Sequence, residues 1–316
     1  MKIKLLKMIA VISVLCLAAA LICINVFADD DSIIVCKHTA EIIGANVSLD
    51  ADISLRYYVK LCDCYKDAKM VFTSSGMSVK KAAYYDVETE EYVFTLDNIR
   101  PQTIGDLIDA ELVVGGRVIA SKEGYSVLEN CKKLLSRYPN DEKMQYLIKA
   151  LLSYCASVQN YKEYKVDDPV NAGYEIDLLR PGLSDSVKEI INKDGDAVVD
   201  AANISFETEV KIFIKVLCEY EPTVTIDGVE VKAEIQGDGE ENYNSGLWVF
   251  YTDGISPDKF NDTIRFVITS NDPNTELLYS VNSYAYSKRE AESTSMRNLS
   301  TALYTYGIAM ENYLAQ

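Results

Sequence analysis

The sequence contains a single histidine, a single tryptophan and many fewer basic than acidic residues. The one histidine, His38, excludes every catalytic or metal site that needs two imidazoles. Lys and Arg number 31 against 48 Asp and Glu, and the resulting formal charge of -17 argues against binding to a nucleic-acid backbone. No Cys-x-x-Cys pair is present. The sequence therefore predicts no zinc site, no other metal site and no cofactor.

The first 28 residues have the three-part layout of a secretory signal peptide. Three lysines within the first seven residues precede an apolar run, and Val26-Phe27-Ala28 resembles a cleavage site. An uncleaved membrane anchor is the alternative, because the run from Met8 to Phe27 is nearly long enough to span a bilayer. Cleavage after Ala28 removes three lysines and no acids, which leaves residues 29–316 with a formal charge of -20. We therefore predict a secreted, extracellular protein with no membrane association after cleavage.

The remaining chain contains an internal repeat. The segment YVFTLDNIRPQTIGDLI at 92–108 matches WVFYTDGISPDKFNDTI at 248–264, and Tyr-Ser-Val recurs at Tyr125 and Tyr279. The segment MQYLIKALLSYCASVQNY at 144–161 matches MRNLSTALYTYGIAMENY at 296–313, and 47–59 pairs less clearly with 204–216. Four matches in the same order indicate a tandem duplication.

Each copy begins with strand-like alternation and ends with helical spacing. Gly115-Gly116 and Asp227-Gly228 predict tight hairpin turns between strands. The motif Asp-x-Ile-x-Pro at 97–101, and again at 253–257, predicts a short irregular turn that interrupts the strands. A helix is predicted over about 126–137, and Pro139-Asn140-Asp141 ends it and caps the next helix. On that second helix, apolar residues recur on one face at helical spacing: Leu147, Ala150, Leu151, Tyr154 and Val158, repeated as Leu299, Ala302, Leu303, Tyr306 and Met310.

These patterns predict an α+β protein made of two tandem copies of one module. Each module consists of a small antiparallel β-sheet or sandwich followed by a helical hairpin. The boundaries are a signal peptide at 1–28, a first module at 29–172 and a second, diverged copy at 173–316. The join lies in YKVDDPVNAGYEI, where Asp167-Asp168-Pro169 and Gly173 break regular structure.

The strand segment YVFTLDNIRPQTIGDLIDAEL, the Tyr125-Ser126-Val127 tripeptide and the helix KALLSYCASVQNY followed by VDDPVNAG resemble a known tandem module. Similar modules occur in secreted proteins of gut Firmicutes of the Ruminococcus type, where they accompany dockerins, bacterial immunoglobulin-like domains or leucine-rich repeats. The resemblance covers most of the chain after residue 28. It implies an extracellular α+β module, and it implies no activity.

Six cysteines follow the signal peptide, namely Cys36, Cys62, Cys64, Cys131, Cys155 and Cys218. Export makes disulfides chemically feasible, but five of the six lie in the first copy, and a framework native to the module would have been duplicated with it. Free buried cysteines are therefore favoured. Cys62 and Cys64 are expected to point to the same face of a strand, which suits core packing or a local bridge.

Exposed aromatic residues are the candidates for ligand binding. Sugar rings stack on exposed aromatic faces in carbohydrate-binding sandwiches, and Tyr84, Tyr85, Trp248 and Tyr251 fit that role. Trp248 aligns with Tyr92 in the repeat, which favours a core position instead. Tyr84 and Tyr85 have no evident repeat partner.

Catalytic residues are not predicted. His38 lies two residues from Cys36 but lacks an orienting group, and Asn192–Asp196 is more typical of a turn than of a calcium loop. Asp97, Asp106, Asp253 and Asp262 are shared by both copies and are interpreted as structural. The sequence favours a secreted, non-catalytic binding or scaffold protein whose partner is a polysaccharide or a cell-surface protein. A secreted carboxylate-based hydrolase and a structural spacer are the alternatives.

Overall fold

A computed structural model describes residues 39–315 except positions 66, 76, 88–89, 183–187, 192–195, 235–245 and 271–273. Within these residues the protein is α+β, with four antiparallel sheets and four α-helices. This confirms the predicted α+β class, whereas the two tandem copies of one module stay a prediction. The signal peptide, Cys36, His38 and most of the Asn192–Asp196 turn lie outside the described residues.

The first half of the chain forms two four-stranded sheets, ordered β1-β2-β6-β5 and β4-β3-β7-β8. Their strands are β1 (Ala40–Leu49), β2 (Ile53–Leu61), β3 (Lys69–Ser74), β4 (Met77–Ala82), β5 (Tyr84–Asp86), β6 (Glu91–Ile99), β7 (Ile108–Val114) and β8 (Arg117–Tyr125). Tyr57 on β2 and Phe72 on β3 are fully buried, and their ring centroids lie 5.3 Å apart. Because these strands belong to different sheets, the ring contact shows that the sheets pack face to face as a sandwich.

The second half forms a three-stranded sheet, β10-β11-β14, and a five-stranded sheet, β13-β12-β15-β16-β9. Its strands are β9 (Lys188–Ile191), β10 (Val198–Phe206), β11 (Val210–Leu217), β12 (Thr223–Ile226), β13 (Val229–Val231), β14 (Leu247–Tyr251), β15 (Ile264–Thr269) and β16 (Thr275–Tyr279). Ile212, Ile214 and Phe250 from the smaller sheet are fully buried, as are Phe266 and Leu277 from the larger one.

A helical pair follows each set of strands. The helices are α1 (Val127–Arg137), α2 (Glu142–Tyr161), α3 (Val281–Lys288) and α4 (Thr294–Leu314). Asp141 caps α2 by accepting a hydrogen bond from the Met144 N–H at 3.0 Å, as predicted. Every residue of the two predicted apolar faces is at most 5% exposed. The helical part of the sequence prediction is therefore confirmed.

The described chain divides into two compact units. Unit 1 contains the residues up to Ser48 together with Ser54–Asp97 and Gly105–Asn130, and unit 2 contains Leu49–Ile53, Asn98–Ile104 and everything from Cys131 onward. Helices α2 and α4 both belong to unit 2, where the Tyr154 and Tyr306 rings stack with centroids 5.6 Å apart. The module boundary predicted at 172/173 does not coincide with this division and stays a prediction.

The predicted turns are present, with one difference. Both hairpins turn through residues of positive φ, at Gly115-Gly116 and at Asp227-Gly228, as type I′ turns require. Asp97, predicted to lie in an irregular turn, lies instead within β6, where its carboxylate accepts a hydrogen bond from Lys81 at 2.7 Å. The chain leaves the strand only after Ile99 and then forms a short 3-10 turn that starts at Pro101.

Candidate functional site

The four aromatic candidates are divided between the two units. Tyr84 and Tyr85 lie on β5 at the edge of the first sheet and are 52% and 49% exposed. Trp248 is buried, and its indole Nε1 donates a hydrogen bond to the Cys218 carbonyl at 3.1 Å. Trp248 therefore offers no open ring face to a ligand, and the core position favoured by the repeat alignment is correct. Tyr251 lies on the opposite face of the same strand, half-buried against the Phe213 ring.

Tyr84 and Tyr85 project to opposite faces of their sheet, because successive side chains of a strand alternate. Tyr85 lies opposite Tyr92 in the strand register, and the two rings meet edge to face with centroids 5.1 Å apart. Tyr84 lies opposite Val93, and Asp86 lies opposite Glu91. Residues that are directly opposite share a face, so Tyr84, Asp86 and Glu91 lie together on the face away from Tyr85.

A second tyrosine, from β2, belongs to the same face as Tyr84. The Asn46 side-chain amide donates a hydrogen bond to the Tyr58 hydroxyl at 2.9 Å. Partial burial raises the pKa of Tyr58, the hydrogen bond from Asn46 and the nearby Arg56 guanidinium lower it, and the nearby Tyr84 phenol and Asp86 carboxylate raise it. Tyr58, Tyr84 and Asp86 are therefore neighbours. Asn46, Tyr58, Tyr84, Asp86 and Glu91 together are called the tyrosine face below, and all five belong to unit 1.

The tyrosine face combines apolar rings with polar edges. Val93 is fully buried even though it lies on this face, so the side chains around it must cover it. Burial raises the pKa of Glu91, and Asp86 raises it further, whereas Lys60 opposes the shift. The Asn46 Oδ1 atom is buried and accepts no hydrogen bond from any described residue. The face can therefore stack a flat apolar ligand surface on two phenol rings and bind hydroxyl groups along its edge.

The outer face of the sheet β10-β11-β14 can be compared with the tyrosine face. Phe213 lies opposite Tyr251, and their ring centroids are 5.4 Å apart. Lys211 and Lys215 flank Phe213 at alternate positions of β11 and therefore share its face. The Lys211 ammonium forms an ion pair with Glu209 at 2.9 Å. Arg56 and Lys60 flank Tyr58 on β2 in the same way, so both faces combine aromatic rings with cations, and the tyrosine face also carries Asp86 and Glu91.

The cysteines are only partly as predicted. Cys131 and Cys155 are buried free thiols, and Cys218 is free and half-buried. Cys62 and Cys64 form a disulfide bond, so the favoured interpretation as free cysteines is wrong for these two and the alternative of a local bridge is correct. The expectation that both lie on a strand is also wrong, because β2 ends at Leu61 and a 3-10 turn begins at Asp63.

A surface cleft in unit 2 has acidic residues in its wall, among them Asp50, Asp227, Asp253 and Asp262. Asp227 links its hairpin turn to the neighbouring strand, because its carboxylate accepts a hydrogen bond from the Arg265 N–H at 2.9 Å. Asp253 and Asp262 are the shared residues interpreted as structural from the sequence. Across the described ranges, no cluster of His, Cys, Asp and Glu is suitable for holding a metal ion.

Comparison with known proteins yields no relative, since the chain matches no protein-family model and no curated protein is significantly similar to it. No α-helix among the described residues is long and apolar enough to cross a membrane. The site must therefore be interpreted from its own chemistry.

Sequence reasoning identified Tyr84 but missed Tyr58 and Asn46. The outward position of Tyr58 could have been predicted, because Leu55, Tyr57 and Val59 alternate with more polar residues along β2. That alternation places Tyr58 away from the core. The proximity of Tyr58 to Tyr84 could not be derived in the same way, because it depends on the order β1-β2-β6-β5.

Proposed function

We propose that this protein is an exported, non-catalytic binding protein built from two tandem copies of one module, and that its tyrosine face binds a polysaccharide. The observation that carries the proposal is that exposed Tyr84 shares a sheet face with Asp86 and Glu91, with Tyr58 and Asn46 nearby. Export is supported by the signal-like residues 1–28 and by the Cys62–Cys64 disulfide, since disulfides persist in oxidising compartments.

The strand order supports the tandem duplication. The orders β1-β2-β6 and β4-β3-β7-β8 in the first half correspond to β10-β11-β14 and β13-β12-β15-β16 in the second. Only β5 and β9 fall outside this correspondence among the described strands. In both halves the strand that carries the Val-Phe repeat is followed by a 3-10 turn with proline first, and then by the next strand of the other sheet.

Local geometry agrees with this correspondence. The residues before the two 3-10 turns, Arg100 and Ser256, have nearly identical backbone angles, with φ of -66° and -65°. The caps of the long helices correspond as well. Asp141 accepts a hydrogen bond from Met144 N–H, and Ser293 accepts one from Met296 N–H. Met144 and Met296 are equivalent residues in the repeat alignment.

A polysaccharide suits the tyrosine face better than an apolar peptide does. Sugar rings present flat C–H surfaces that stack on aromatic rings, while their hydroxyls need donors and acceptors at the ring edge. Tyr58 and Tyr84 supply the rings, and Asp86 and Glu91 supply acceptors. An apolar peptide would bury the Glu91 carboxylate without offering it a hydrogen-bond donor, at a cost in binding free energy.

Binding can be measured with soluble xylan, mixed-linkage glucan and solubilised peptidoglycan as probes, by affinity electrophoresis and calorimetry. Tyr84→Ala is expected to weaken saturable binding by about tenfold, the upper end of what one aromatic contact contributes. Tyr220→Ala is the matched control, because Tyr220 is 75% exposed but lies outside the tyrosine face. Absence of binding to every polymer, or equal affinity for both variants, would overturn the proposal and leave a surface protein or a spacer role.

The hydrolase alternative has one observation in its favour. Asp86 and Glu91 lie directly opposite each other, and the raised pKa of Glu91 is the shift that a general acid needs. Reducing sugar released from a probe polymer by the wild-type protein, and abolished by Glu91→Gln, would establish hydrolysis and overturn the non-catalytic assignment. Binding without release of reducing ends is the expected result.

A further inference from the structure

The Cys62–Cys64 disulfide lies on the surface, directly after the end of β2. The two Cα atoms are 5.4 Å apart, Cys62 is half-buried and Cys64 is exposed. The Cys62 N–H donates a hydrogen bond to the Thr39 carbonyl at 3.1 Å, and the Tyr65 N–H donates one to the Cys62 carbonyl at 2.8 Å. We propose that this disulfide is a reversible redox site that exchanges with low-molecular-weight thiols while the protein stays folded.

A purely structural role explains this disulfide poorly. A disulfide stabilises a fold mainly by restricting the unfolded chain, and the effect grows with the length of chain enclosed. Here a single residue separates the cysteines, so the restriction is close to the smallest that a disulfide can give. The backbone hydrogen bonds at Cys62 and Tyr65 also hold the turn without help from the sulfurs.

The second half of the chain shows that the strand can end without a disulfide. In the alignment of 47–59 with 204–216, Cys62 and Cys64 correspond to Glu219 and Glu221. Strand β11 nevertheless ends at Leu217, the position equivalent to Lys60 near the end of β2. The disulfide was therefore gained or kept in one half for a reason other than ending the strand.

Exposure determines how the exchange proceeds. An external thiolate attacks the exposed Cys64 sulfur, which forms a mixed disulfide and releases Cys62 as a thiolate. A second thiolate then attacks the external sulfur of the mixed disulfide and releases Cys64. Two external thiols are oxidised to one disulfide, and Cys62 and Cys64 take up the two electrons and two protons. The reverse sequence restores the disulfide with an oxidised low-molecular-weight disulfide as the oxidant.

The exchange can be followed on one peptide. Trypsin cleavage after Lys60 and Lys66 releases the peptide LCDCYK, which contains both cysteines. Full-length protein is equilibrated in glutathione buffers of increasing reduced-to-oxidised ratio, alkylated and analysed by mass spectrometry, with near-ultraviolet circular dichroism as the test of folding. We expect the fraction of doubly alkylated peptide to increase with that ratio and to decrease again when the protein is returned to oxidised glutathione. The near-ultraviolet circular dichroism signal should stay unchanged throughout.

The buried thiols serve as the internal control. Cys131 and Cys155 are 0% exposed, so they must stay unmodified while the peptide with Cys62 and Cys64 is alkylated. Alkylation of all four together, reduction only after the dichroism signal is lost, or resistance of the disulfide to millimolar glutathione would overturn the proposal. So would full alkylation of the peptide before any reductant is added.

Single variants test which sulfur is attacked. Cys62→Ser keeps the exposed thiol of Cys64, and Cys64→Ser keeps the half-buried thiol of Cys62. Adduct formation with oxidised glutathione is expected to be roughly tenfold faster for Cys62→Ser, because exchange rates depend on access to the sulfur. Equal rates would contradict the assignment of Cys64 as the attacked atom. Neither cysteine belongs to the tyrosine face, so neither variant is expected to change polysaccharide binding and the two proposals can fail independently.

Discussion

Stacking of Tyr154 on Tyr306 should be measurable as a coupling free energy. Both residues are 3% exposed, and their rings are nearly parallel, with an interplanar angle of 11° and centroids 5.6 Å apart. We expect Tyr154→Leu and Tyr306→Leu each to reduce the free energy of unfolding by roughly 1–3 kcal/mol, because a branched side chain fills the space of a flat ring poorly. The double variant should lose about 0.5–1.5 kcal/mol less than the two single losses combined, because the stack can be lost only once.

The single tryptophan makes this assay specific to unit 2. Trp248 is buried and belongs to the same unit as both tyrosines, so its fluorescence reports the unfolding of that unit in urea. The slope of the unfolding free energy against urea concentration must stay constant across the four proteins. Tyr220→Leu, at a position that is 75% exposed, is the control and should change stability by less than about 0.5 kcal/mol. Losses that add to within about 0.3 kcal/mol would show that the rings do not interact.

Three further predictions concern capping, packing and pH. Asp141→Ala removes the acceptor for the Met144 N–H and should lower the free energy of unfolding in urea by about 1 kcal/mol. Asp141→Asn keeps a side-chain acceptor and should retain most of that stability. Gly307→Ala should destabilise by roughly 1–3 kcal/mol despite the better helix propensity of alanine. The reason is that a Cβ atom at position 307 would lie 2.9 Å from the buried ring of Phe260. A higher melting temperature for Gly307→Ala in thermal denaturation would contradict this close contact. Burial raises the pKa of Tyr279 from 10.0 to about 12, so its contribution to stability is complete below pH 10 and is lost between pH 10 and pH 12. The free energy of unfolding of Tyr279→Phe should therefore fall less steeply with pH over that range. The same slope in Tyr279→Phe and wild type would show that the pKa of Tyr279 is not raised.

The helices and hairpins could be predicted because their signals are local. The face of α2 is readable from apolar residues three and four positions apart, and its start is readable from Asp141 directly after a proline-containing turn. Gly115-Gly116 likewise specifies its turn through backbone angles that few other residues adopt. Each of these features depends on residues within one or two turns of chain.

The candidate site could be predicted only in part because it depends on contacts between distant strands. Tyr84 was identifiable as an aromatic residue without a repeat partner, but Tyr58 lies 26 positions earlier and reaches it through the strand order. The disulfide was misjudged for a related reason. The same-face argument for Cys62 and Cys64 assumed a strand, whereas the chain leaves β2 at Leu61.

The proposed duplication aligns the sheet β1-β2-β6-β5 with the sheet β10-β11-β14. The aligned residues are similar in the core and different on the outer faces. Val93 and Phe94 correspond to Val249 and Phe250, and all four are at most 1% exposed. On the outer faces, the residues that the proposed duplication aligns differ in chemistry, since Tyr58 aligns with Lys215 and Glu91 with Leu247. Packing restricts a buried position to side chains of similar volume, whereas an exposed face can change as its ligand changes. We therefore expect a polysaccharide that binds the proposed site at Tyr84, Asp86 and Glu91 not to bind around Phe213, where Leu247 takes the place of Glu91.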